Sequence, residues 1–65
     1  MCLLKVYLDE EKGRRLVAED VALVIKEGSG LKLIGLELMG GVALENVKVS
    51  RIDTLNAVMI VKPKR

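Results

Sequence analysis

No apolar run in this chain is long. "VALVI" at residues 21–25 and "AVMIV" at residues 57–61 are its longest unbroken ones. Between the apolar pieces stand "DEEKG", "GSG", "MGG", "EN" and "DTLN". Short runs bounded by glycine, Asp and Asn read as strands joined by turns, because those residues tolerate or stabilise the backbone angles a turn needs. A bilayer-crossing helix needs a longer stretch, about 20 apolar residues.

The pieces can be placed in order. Residues 2–8 alternate, with Cys2, Leu4, Val6 and Leu8 on one face and Leu3, Lys5 and Tyr7 on the other. That is the period of a strand. "DEEKG" predicts a hairpin loop in which Gly13 supplies the unusual angle. Residues 14–20 and 21–27 are read as two successive short strands, closed by the "GSG" turn. A helical face through Val17, Val21, Val24 and Ile25 is the competing reading of this stretch. Strands are expected over 31–38, with a bend or bulge at Gly35, then over 42–44, 47–52 and 57–62, with Pro63 as the stop. Six or seven short strands about 8–12 residues apart predict an all-β fold. In a chain of 65 residues they favour a small, strongly bent, partly closed barrel filling one domain over residues 1–65.

Size then constrains assembly. A chain this short buries only about 60% of its unfolded surface. Domains below roughly 70–80 residues usually need a disulfide, a metal or a partner subunit. One cysteine rules out an intrachain disulfide, yet 51% of the residues are hydrophobic. The excess apolar surface predicts a homodimer, the commonest symmetric assembly. An unpaired thiol fits a reducing interior, and the start has no basic segment followed by an apolar one, so a cytoplasmic location is expected.

The chemistry on offer is sparse. Without histidine there is no Ser-His-Asp or Cys-His pair, and "GSGLKLIG" has neither the helix start nor the Lys-Ser/Thr of a phosphate loop. The sequence therefore points away from an enzyme. The formal charge of +2 is too small to announce nucleic acid, and part of it sits in the tail "KPKR", read as a solvated end. Lys5, Arg14, Arg15, Lys48 and Arg51 could form a basic patch if their strands are neighbours. Base stacking wants aromatic platforms, and Tyr7 is the single aromatic side chain. An RNA-binding barrel is thus an alternative, against ordinary outward-facing charges.

Cys2 has two readings. As a small apolar side chain it would belong in a core. As a ligand it has position in its favour: thiolate, amide nitrogen and, once methionine is trimmed, an α-amine can close small chelate rings on a metal. One such arm is insufficient. Two arms across a dimer axis would supply two sulfurs and two nitrogens, a set that suits square-planar Ni(II) and also Cu(II). A structural zinc site wants four Cys or His side chains, more than two copies of Cys2 provide. Zinc thus stands behind nickel and copper.

"MC" at the start, "VYL" at 6–8, "LVAEDV" at 16–21 and "ENVKVSRIDTLNAVMIV" at 45–61 together resemble the CooT family, small proteins linked to nickel supply for carbon monoxide dehydrogenase. The resemblance spans essentially the whole chain. It implies a homodimeric barrel related to Sm-like or SH3-like folds. It also implies Ni(II) bound near the dimer axis through the family's amino-terminal cysteine, which is Cys2 here. Partners would be a nickel enzyme or its maturation machinery. Relatives can carry a histidine in the turn of the last segment, where this chain has Asn56 and Ala57. The family has also carried a predicted RNA-binding label, which follows its fold rather than a motif.

Overall fold

The computed structural model describes residues 3–36 and 41–64, and all of its regular structure is β. Six strands are formed: β1 (Leu4–Glu10), β2 (Gly13–Glu27), β3 (Gly30–Gly35), β4 (Val42–Leu44), β5 (Val47–Asp53) and β6 (Val58–Pro63). They make one sheet in the order β4-β3-β2-β1-β6-β5. The sheet is curled into a half-barrel whose edges are β4 and β5, as the expected small bent barrel requires.

Alternation decides which way each strand faces. Val6 and Leu8 of β1 are buried while Lys5 is exposed. They join Ala18 and Val21 of β2, Leu31 and Leu33 of β3, Val47 of β5, and Met59 and Val61 of β6 in one core cluster. Leu4, Val17, Val24, Val42 and Leu44 pack against it. Registers explain the meeting: Val6 is paired with Met59 and Leu8 with Val61, Leu33 with Val42 and with Val24. No buried polar or charged residue interrupts this interior among the described residues.

The stretch expected as two strands is one. β2 runs unbroken for 15 residues. Its first half pairs with β1 and its second with β3, both antiparallel. Asp20 sits between the halves with φ 55°, a left-handed angle that Asp tolerates better than most residues. Register shifts flank it, between Leu4 and Val6 on one side and between Val21 and Leu23 on the other. Bulges of this kind bend a strand and increase its twist. The bend that a loop was expected to make is therefore made inside a strand, and this curls the sheet. The helical alternative for the same residues is not taken up.

Other differences are local. β1 continues to Glu10, past the expected end at Leu8, because Asp9 and Glu10 pair with Arg14 and Gly13. β3 stops at Gly35 rather than at residue 38, and residues 37–40 lie outside the described part. Gly35 ends a strand opposite Val21, and the irregularity falls on β2 instead. The expected turns are present: Gly13 and Gly28 adopt φ 137° and 55°. Gly30 answers a different need. A Cβ there would collide with the backbone carbonyl of Leu44, so the β2–β3 turn can lie against the β4–β5 link. Val47 N donates to Ser29 O at 3.2 Å across the same contact.

Leu33 is fully buried at the centre of the core, whereas Leu55 is 91% exposed. Leu33→Ala is expected to cost about 2–5 kcal/mol, and Leu55→Ser less than about 0.5 kcal/mol. Urea unfolding followed by circular dichroism measures both.

Candidate functional site

The sequence placed the candidate metal ligand at Cys2, which lies outside the described residues. What the structure does show is where the chain comes in. Leu4 begins β1 opposite Val21, and Lys5 is in register with Val58. Lys5 N donates to Ala57 O at 3.0 Å. The start of β1 is therefore bounded by the Asp20 bend on one side and the turn at residues 53–57 on the other.

That turn is built by its own polar side chains. Asp53 accepts from the Asn56 backbone N at 3.1 Å and from Asn56 Nδ2 at 2.9 Å. Ala57 closes it with φ 57°. These bonds leave Leu55 at the exposed tip. Ile52 and Leu36 are exposed at the same end of the sheet, Leu36 being held by a bond from its N to Asp20 O at 3.3 Å. Large apolar side chains thus face water close to where β1 begins.

The opposite end is charged. An open cleft of about 850 Å³ there is lined by Asp9, Glu10, Glu11, Lys12, Lys48 and Lys62, with Pro63. Arg14 grips Asp9 through two bonds, Nε to Oδ1 at 2.6 Å and Nη2 to Oδ2 at 3.2 Å. The guanidinium holds the Asp9 carboxyl below the usual carboxylate range, with a smaller contribution from Lys62. Arg15 Nε is 3.5 Å from Glu10 Oε1.

The five cations proposed as a nucleic-acid patch divide accordingly. By register, Lys5, Arg14, Lys48 and Arg51 all lie on the outer face, away from the core. Arg15 is opposite the core residue Leu8 and is separated from them. Arg14 and Arg15 are engaged by carboxylates, and Tyr7 is half-buried. A continuous basic groove with aromatic platforms is not formed among the described residues. The sequence reading ended the last strand at Lys62 but did not count it with the patch; it stands directly opposite Lys48. Period two through Val58, Ile60 and Lys62 was the signal that could have found it.

Among the described residues, no group of three or more His, Cys, Asp or Glu comes together to hold a metal. At the charged end Asp9 and Glu10 are tied to arginines, and Glu11 lies in the turn after β1. Among the described residues no helix is long and apolar enough to cross a membrane. A family model described as CO dehydrogenase accessory protein CooT matches residues 1–62 of the chain. None of the curated proteins compared with the chain matches it.

Asp53 supplies a pH test of the turn beside β1. Bonds from the Asn56 side chain and backbone lower its pKa from the ordinary 3.8. A lowered folded value stabilises above the unfolded pKa and is lost as pH falls through the folded one. The gap in urea midpoint between wild type and Asp53→Ala should be constant near neutrality. It should shrink below about pH 4. A gap that persists into stronger acid would mean that the carboxylate does not hold the turn.

Proposed function

Because the chain belongs to the CooT family of CO dehydrogenase accessory proteins, we propose that it carries Ni(II) for the maturation of a nickel enzyme such as carbon monoxide dehydrogenase, as a metallochaperone or a nickel store. The ion is cargo, held at a homodimer interface by Cys2 of each subunit, one ion per dimer.

The observation that carries this reading is the pairing of a unique thiol with an apolar end. Leu3, one residue after Cys2, leads into the strand that starts at the end of the sheet where Leu36, Ile52 and Leu55 are exposed. Burying these against a second copy would repay a small domain that has no disulfide. The same contact would bring two amino-terminal arms together. Donor chemistry supports the choice of ion. Two thiolates with two main-chain nitrogens satisfy square-planar Ni(II). Cu(II) would accept the same set, whereas zinc would lack two of its usual side-chain ligands. The described residues offer no competing cluster.

Three outcomes follow for calorimetric titration. Ni(II) binds wild type at one ion per two chains, and Cys2→Ala removes that binding. Affinity falls by on the order of tenfold per pH unit for each thiolate proton displaced, below the thiol pKa of about 8.5. Ile52→Glu at the apolar end shifts sedimentation from dimer towards monomer and weakens nickel uptake with it. Equal stoichiometry and affinity in Cys2→Ala would place the ion elsewhere.

A further inference from the structure

The charged end carries a feature that nickel handling does not use. Lys48 and Lys62 are direct partners in the antiparallel β5–β6 ladder. Like charges so placed repel. Both are exposed, and both line the open cleft. The nearest acid along the row, Asp9, is already gripped by Arg14. Glu10 and Glu11 also line the cleft, but along the outer row itself Arg14, Lys62 and Lys48 outnumber the one acid, Asp9, so the row keeps a positive excess beside a cleft large enough to admit a side chain.

The neighbouring rows of the same outer face complete a pattern. One step towards the middle of the sheet, Leu16, Tyr7, Ile60 and Arg51 stand in register across β2, β1, β6 and β5. Ile60 is only 4% exposed although it lies outside the core cluster, and Leu16 is 42% exposed. Beyond them comes the row Lys5, Val58 and Asp53. An apolar step is thus bordered by Lys48, Lys62, Arg51 and Lys5.

We propose that this outer face docks an acidic protein surface, with a carboxylate seated between Lys48 and Lys62 and an apolar side chain over Leu16 and Tyr7. Charge disfavours a second copy as the occupant, since its matching face would bring the same excess of lysine and arginine. The mixture favours protein over nucleic acid. A nucleic-acid strand carries a phosphate on every residue, whereas the apolar Leu16 suits a partner that sets apolar side chains among its acids. Stacking would fall to Tyr7 alone, which is half-buried. The Lys48–Lys62 pair lies at the end of the sheet away from the start of β1, and the contact uses no Cys2 donor, so this inference goes beyond the nickel reading and stands without it.

The test needs no metal. Isotope-labelled full chain is titrated with a short peptide repeating Glu-Asp-Leu-Glu, with its lysine-for-acid counterpart, and with oligouridylate, while amide resonances are followed. Saturable shifts are expected for Tyr7, Leu16, Arg51 and Lys62 with the acidic peptide only, and Leu36 and Leu55 should stay still. Lys48→Glu with Lys62→Glu should weaken the acidic peptide at least about tenfold, as loss of complementary charge does. Lys48→Gln with Lys62→Gln should weaken it less, and serves where the reversal disturbs the spectrum as a whole. Leu16→Ser should weaken it severalfold. The proposal is overturned if the acidic peptide gives no saturable shifts, if the lysine substitutions leave binding unchanged, or if oligouridylate binds the same residues more tightly.

Discussion

The parallel ladder between β1 and β6 is the contact on which the rest of this structure depends. It joins the first strand of the described chain to the last, through Lys5–Val58, Val6–Met59, Tyr7–Ile60 and Leu8–Val61. Parallel neighbours need a long connection. Here that connection is everything between them, the bent β2, β3, β4 and β5. The ladder puts Val6 and Leu8 beside Met59 and Val61 on the core side, and it places β1 inside the sheet rather than at an edge. Without it, six short strands would have two unconnected halves and little interior.

That central position gives the two ends of β1 different surroundings. Its start opens between the Asp20 bend and the Asp53 turn, among exposed Leu36, Ile52 and Leu55. Its finish, at Asp9 and Glu10, opens onto the charged cleft with Lys12, Lys48 and Lys62. The proposed dimerisation and nickel chemistry belong to the first end. The proposed docking of an acidic partner belongs to the second and to the outer face. An accessory protein with separate surfaces for its cargo and for an acidic partner could hold both at once.

Much of this was legible in the sequence because period two is a strong signal. The faces of β1, the turns at Gly13, Gly28 and Asp53, and the brief β4 all follow from local chemistry. What was not legible was the continuity of β2. An acidic pair at Glu19 and Asp20 reads as a break, and only the pairing of each half with a different strand shows that Asp20 bends the chain without ending the strand. Lys62, although placed at the end of the last strand, was left out of the patch for a similar reason. A lysine next to a proline near a chain end resembles a solvated tail, until β5 pairs with it. The sequence offered Lys5, Arg14, Arg15, Lys48 and Arg51 as a patch against ordinary outward-facing charges; register sets Arg15 apart from the other four, and the carboxylates that engage Arg14 and Arg15 cannot be counted from charge.

The claim at the centre of the account is that two thiolates from two subunits share one nickel ion. X-ray absorption at the nickel edge of the loaded, full-length protein addresses it directly. The account predicts two sulfur and two nitrogen scatterers in a square-planar arrangement. A shell of oxygen and nitrogen alone, or a single sulfur per nickel, would contradict it.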